Sequence, residues 1–180
     1  TYMRTDSPRV APEAIKEIRS YIAKRFGKDY LPQQPNVYKV RKLAQEAHEA
    51  IRPASLQRNP ESLRGFLSPD QYKLYELIFN RFLASQMKPA VYLQTSVDIQ
   101  AEKYLFSASG SKVKFDGFTV VYNNNSEKEK NQIPPLKKEE RLDLVNLIPS
   151  QHFTKAPSRY SDSSLVKILE EEGIGRPSTY

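Results

Sequence analysis

Between positions 12 and 26, Ile15, Ile18, Ile22 and Phe26 recur every three or four residues among charged neighbours. At 3.6 residues per turn, that spacing gathers them on one side of an amphipathic helix. Pro12 suits a first helical turn, where its missing N–H costs nothing, and Gly27 suits a C-terminal cap. Residues 29–40 are rich in Pro, Gln and Asn and predict a loop. Residues 43–51 have the pattern of a short helix stopped by Pro53. The clearest helix opens at Ser68-Pro69-Asp70-Gln71, a capping-box pattern with proline at the first helical position. Tyr72, Tyr75, Ile78, Phe79, Phe82 and Met87 then make one apolar stripe, ended by Pro89. That stripe is expected to be core rather than a stacking platform for bases.

After Pro89 the period drops to two. Val91, Leu93, Thr95, Val97 and Ile99 alternate with more polar neighbours, which predicts a strand with one covered face. Residues 104–108 and 112–122 predict two more strands, joined by a turn at Ser109-Gly110-Ser111. Residues 123–141 form a polar, lysine-rich connector holding Pro134 and Pro135, expected to be mobile. A further strand is predicted over 142–153. Ser161 caps a final helix that carries Leu165, Ile168 and Leu169 and ends at Gly173. Helices, then antiparallel strands, then a helix make an α+β arrangement rather than alternating βαβ units. Neither an internal repeat nor a glycine-rich phosphate loop occurs.

The 180 residues suffice for one sizeable domain or two small ones, and 38% apolar content predicts an elongated or incompletely buried body. There are 28 Lys and Arg against 21 Asp and Glu, a formal charge of +7. This favours a polyanionic partner, nucleic acid ahead of an anionic membrane. Without cysteine there are no disulfides or thiolate metal sites, and two histidines make a His-based zinc site improbable. Neither a signal peptide nor an apolar run of about 18 residues is present, so the expectation is a cytoplasmic chain with no membrane span. Both ends look cut: the chain opens without an initiator methionine and closes on Gly175-Arg176-Pro177-Ser178-Thr179-Tyr180, which resembles a helix start.

Candidate chemistry concentrates at the front, in Tyr2-Met3-Arg4-Thr5-Asp6-Ser7. A phenol with an ordinary pKa of about 10 needs nearby positive charge to act as a nucleophile. In an extended segment Tyr2, Arg4 and Asp6 share a face, with Tyr2 and Arg4 about 7 Å apart at the backbone. Two long side chains so spaced could converge on one phosphate, Arg4 gripping its oxygens and favouring the phenolate. The plainer alternative is a half-buried strand tyrosine, with Arg4 paired to Asp6 in solvent.

Four segments resemble, in order, those of the type IA DNA topoisomerase family in bacteria. They are Tyr2-Met3-Arg4-Thr5-Asp6-Ser7, Ala44-Gln45-Glu46-Ala47-His48-Glu49-Ala50-Ile51-Arg52-Pro53, Ala84-Ser85-Gln86-Met87, and Gly173 to Tyr180. Gln151-His152-Phe153-Thr154-Lys155, with Pro157 and Arg159-Tyr160-Ser161, is similar as well. The resemblance implies a helical, winged-helix (catabolite-activator-like) domain carrying the nucleophile over 1–88. It implies a β-rich arch and hinge over 89–159, and the start of the domain lining a single-strand groove over 160–180. It implies that Tyr2 forms a 5′-phosphotyrosine with single-stranded DNA, frees a 3′-hydroxyl, and religates without ATP after another strand has passed, relaxing negative supercoils. Arg4 would contact the scissile phosphate, and His48 would donate to that phosphate or its neighbour. Without the motif His48 would be a structural loop histidine, and Arg52 is either a phosphate clamp or the salt-bridge partner of Glu49. Arg176, Ser178 and Thr179 resemble groove-lining residues, where a helix start after Pro177 would offer N–H groups to a phosphate.

The family's Mg²⁺ ligands and one assisting lysine belong to an upstream metal-binding (Toprim) domain. This chain has no Asp-x-Asp pair; Asp98 and Asp116 stand alone, and Glu170-Glu171-Glu172 fits a solvated helix face. By itself the chain is expected to bind no catalytic Mg²⁺ and to cleave nothing. The expected whole protein is a monomeric, nucleoid-associated enzyme. A non-catalytic DNA-binding or hinge module is the competing reading. A tyrosine recombinase is disfavoured, because Tyr2 precedes every candidate partner.

Overall fold

Helix α1 spans Pro12–Arg25, beginning on proline and burying Ala14, Ile18 and Ile22 on one side, as the apolar spacing requires. It ends where Gly27 adopts a φ of 102° and donates its N–H to the Ile22 carbonyl (3.3 Å), a geometry that favours a residue without a Cβ. A 3-10 turn, Lys28–Tyr30, follows. Helix α2 is short, Pro60–Leu63, and is capped by the Asn59 side chain. Helix α3 spans Pro69–Ser85, with the reciprocal Ser68–Gln71 capping box in place. Its Phe79, Phe82 and Leu83 pack with Ile18 and Ile22 of α1, Leu56, Met87 and Val121 in one core. The Phe79 ring sits edge-on to Tyr21 at 5.9 Å and tilted against Tyr75 at 6.2 Å.

A computed structural model is the source of this description, which covers residues 7–38, 49–122 and 132–175. Two compact units result, 1–136 and 137–180. In the first, beyond α3, strands β1 (Val91–Ala101) and β2 (Tyr104–Phe115) form an antiparallel two-stranded ribbon. It closes through Glu102-Lys103, with Glu102 at a φ of 52°. Register pairs Thr95 with Gly110 and Ser96 with Ser109, and it slips beside Val91.

Three strand expectations are thereby corrected. Ser109-Gly110-Ser111 lies within β2 rather than at a turn, because the tight closure at Glu102-Lys103 runs 104–115 along all of β1. Residues 117–122 are not strand but a 3-10 turn, Gly117–Tyr122, which returns the chain to the helices and buries Val121 there. The ribbon also lacks a fully covered face. Leu93, Phe106 and Tyr104 on the apolar side are exposed, as is Leu105 (68%) on the other.

The second unit holds helix α4, Asp162–Glu171, with Ser161 accepting the Ser164 N–H. Its end is a Schellman motif: Ile174 N–H bonds Leu169 O (2.8 Å), Gly173 N–H bonds Glu170 O (3.3 Å), and Gly173 has a φ of 69°. The strand predicted over 142–153 is absent. Those residues carry no regular structure, and Val145 is 96% exposed. A strand needs a neighbour for its N–H and C=O groups, and the described residues of this unit supply none. Of the predicted connector, 132–141 is without helix or strand, and 123–131 lies outside the described residues. The helix predicted over 43–51 falls outside them as far as residue 48, and 49–51 is not helical. Among the described residues, four helices with one antiparallel pair agree with an α+β class.

Candidate functional site

Arg52 is the one predicted site residue that the described residues include. Tyr2, Arg4, His48, Arg176, Ser178 and Thr179 lie outside them. Arg52 faces Glu49 in a forked ion pair, Nε to Oε1 at 2.7 Å and Nη2 to Oε2 at 3.3 Å. Its Nη1 donates to the Pro53 carbonyl at 3.2 Å. Over the described residues these contacts engage three of the five guanidinium N–H groups, which leaves two for a further acceptor such as a phosphate oxygen. The salt-bridge reading of Arg52 is therefore realised, and it does not consume the clamp.

Glu49 does more than hold Arg52. Its Oε1 also accepts the Ala11 N–H at 2.8 Å, and the next residue, Ala50, donates its N–H to the Arg9 carbonyl at 2.7 Å. Ser7 is buried and its Oγ accepts the Arg9 N–H at 3.1 Å. The stretch 7–11, which begins on the last residue of the tyrosine segment, is thus tied to 49–53, directly after His48. Two parts of the chain that sequence separates by about forty residues meet here.

Electrostatics reinforce that tie. The hydrogen bond from Arg52 draws the Glu49 carboxyl below its ordinary value of 4.5; the Ala11 N–H and the Arg52 and Arg9 charges act the same way, against the opposing effect of burial. A depressed folded-state pKa contributes stability that is present above the unfolded value and lost as pH falls through the folded one. Glu49→Gln is accordingly expected to flatten the acid limb of the stability curve below pH 4.5. With 37% of the carboxylate side chain exposed, the difference stays below about 1 kcal/mol. Urea unfolding of wild type and variant at a series of pH values checks it: parallel acid limbs would remove Glu49 from this role.

A second tie involves Gln86, of the Ala84-Ser85-Gln86-Met87 segment, which is 1% exposed. Its side chain accepts the Asn36 N–H (3.2 Å) and donates to the Asn36 carbonyl (3.0 Å). The Asn36 amide in turn donates to the Ser85 and Met87 carbonyls, and Tyr38 Oη–H donates to Ser85 O at 2.6 Å. A buried amide satisfied on both sides fixes the 31–38 loop to the end of α3. Sequence reasoning missed Asn36 because its partners lie fifty residues on. The i,i+3 spacing of Glu49 and Arg52 was the one local signal for the other tie.

No set suited to a divalent cation appears among the described residues, where no three His, Asp or Glu groups gather. Asp98 takes a hydrogen bond from Ser107 Oγ at 3.0 Å, Asp116 takes one from Tyr30 Oη at 2.8 Å, and Glu171 pairs with Lys167 at 3.8 Å. Each of these carboxylates has a structural partner. Among the described residues no helix is long and apolar enough to cross a membrane.

Residues 1–180 match the family model described as DNA topoisomerase. DNA topoisomerase 1 of Vibrio cholerae is 50% identical over 180 residues, all of this chain and 20% of that protein. The Pseudomonas aeruginosa protein of the same name is 50% identical over 181 residues, again all of this chain and 21% of its own length. The solved structure of full-length topoisomerase I from Thermotoga maritima superposes with a TM-score of 0.79 at 39% identity, over all of this chain and 28% of that one. The chain therefore spans about a fifth to a quarter of the curated relatives it resembles, 20% of one and 26% of another.

Proposed function

Since the chain belongs to the bacterial (type IA) DNA topoisomerase family, we propose that it is the nucleophile-bearing part of an enzyme that relaxes negatively supercoiled DNA. The observation that carries this reading is the family match over all 180 residues, with Tyr2-Met3-Arg4-Thr5-Asp6-Ser7 inside it. In the proposed step the Tyr2 phenol oxygen attacks a phosphorus of single-stranded DNA. An O–P bond to tyrosine forms, the P–O3′ bond breaks, and the phenolic proton is replaced by one on the departing 3′-oxygen. Religation runs the same exchange backwards, so the ester bond is conserved and ATP is not consumed. Arg4 neutralises charge on the non-bridging oxygens, and a protonated His48 donates to the same phosphate or its neighbour. The two remaining Arg52 N–H groups reach the strand's backbone, while Arg176, Ser178 and Thr179 line the groove that receives it.

The tie between 7–11 and 49–53 supports this assignment, since it joins the flanks of the Tyr2 and His48 segments. Residues 1–88 would be the winged-helix domain, 89–159 the arch, and 160–180 the beginning of the groove domain. The whole enzyme would be a cytoplasmic, nucleoid-associated monomer acting on single-stranded regions of supercoiled DNA. Mg²⁺ would serve the full-length enzyme through an acidic set outside this chain; no step above is routed through it. The test is relaxation of a supercoiled plasmid with Mg²⁺ and without ATP. Activity is expected from the full-length protein and not from the 180-residue chain alone. Robust relaxation by the isolated chain would contradict the division of labour proposed here.

A further inference from the structure

Pro89 marks the change from helix to ribbon and is where a hinge would first be sought. The contacts at that place oppose bending. The Lys88 N–H donates to the Tyr30 carbonyl (2.9 Å), and the Lys88 carbonyl accepts the Phe118 N–H (2.9 Å), so one residue bridges the helical body and the returning leg of the ribbon. The Tyr30 Oη–H donates to Asp116 Oδ1 at 2.8 Å. The Tyr30 ring packs on Phe115 at 5.0 Å and on Phe26 at 5.9 Å, which spans the same junction with apolar contact. Gly117, at a φ of 50°, rests directly on the outgoing leg. A Cβ there would lie 2.5 Å from the Pro89 carbonyl carbon and oxygen and 2.6 Å from the Lys88 oxygen, none of which can swing aside. Four residues later Val121 enters the helical core.

We infer that the foot of the ribbon is a fixed joint, built by Tyr30, Lys88, Asp116 and Gly117, which makes the ribbon turn together with the helical body. Eleven residues of β1 make a lever about 37 Å long at about 3.4 Å per residue. A rotation of about 10° at its foot would move the tip by about 6 Å, so a loose foot would disperse the tip and a stiff one transmits motion to it.

Hydrogen exchange measured by mass spectrometry on the full-length protein tests this without reference to catalysis. Tyr30→Phe keeps the ring contacts and removes only the hydroxyl. It is expected to speed exchange in peptides covering 86–90 and 116–120 by about five- to tenfold, leaving the α1 peptide 14–22 unchanged. Gly117→Ala is expected to speed the same peptides by about a hundredfold, by forcing the backbones apart. Should that variant fail to fold, Tyr30→Phe alone decides. Exchange in the junction peptides within about twofold of wild type in Tyr30→Phe would overturn the joint. So would a wild-type junction that exchanges as fast as the tip, 100–105. Neither outcome depends on whether Tyr2 is a nucleophile.

Discussion

Tyr2→Phe in the full-length protein is expected to reduce supercoil relaxation by about 10⁴-fold or more, while affinity for single-stranded DNA changes by less than about threefold. The two numbers separate because the phenolic oxygen is needed only once the phosphorus is being transferred. Binding rests on backbone phosphate contacts from Arg, Lys and N–H groups, none of which the substitution removes. Arg4→Ala should fall between the two, since a cation beside the phosphate acts on the transition state more than on bound strand. Plasmid relaxation and a fluorescence-anisotropy titration give both readings on one preparation. Persistent relaxation by Tyr2→Phe would place the nucleophile elsewhere, and a parallel loss of binding would point to misfolding.

The second large effect concerns the body that carries that tyrosine. Phe79 is 2% exposed and contacts two aromatic rings, Tyr21 edge-on and Tyr75 tilted. Phe79→Ala removes those contacts and leaves a cavity at the meeting of α1 and α3, costing about 3–5 kcal/mol. Leu105→Ala, on the exposed ribbon, should cost less than about 0.5 kcal/mol in the 180-residue chain. Denaturant unfolding of both variants checks the contrast. Equal losses would mean that the ribbon, and not only the helices, belongs to the core.

The legible parts of the fold were those written locally. Ser68 and Gln71 form the capping box they spell, Pro12 starts α1, and Gly27 and Gly173 stop α1 and α4 as expected, each at a positive φ. The misread parts depend on residues far away. Ser109-Gly110-Ser111 has turn composition, yet the turn falls on Glu102-Lys103, because cross-strand register outweighs local turn preference. Phe118, Val120 and Val121 alternate poorly, and their 3-10 turn is fixed by Gly117 meeting Pro89, a contact no window along the chain contains. The segment 142–153 carries a strand's pattern without a strand's partner.

At the site, composition pointed only to a polyanion. Tyr2 and Arg4 were also legible from their alternate spacing, as a pair able to converge on one phosphate, whereas His48, Arg176, Ser178 and Thr179 came from the resemblance alone. Arg52 had two readings, and the geometry shows its ion pair with Glu49 while leaving N–H groups for a phosphate. Glu49 was named only as a partner. That its carboxylate also ties two distant stretches through the Ala11 N–H could not be seen in the sequence, because a backbone N–H has no side-chain signature.

Mapping the covalent adduct is the most direct measurement. The full-length protein, quenched during reaction with a single-stranded oligonucleotide and digested, should yield one modified peptide, with the 5′-phosphate of the cleaved strand esterified to the Tyr2 oxygen and a free 3′-hydroxyl on the released piece. A link to any other residue, or a 3′-phosphate on tyrosine, would contradict the account.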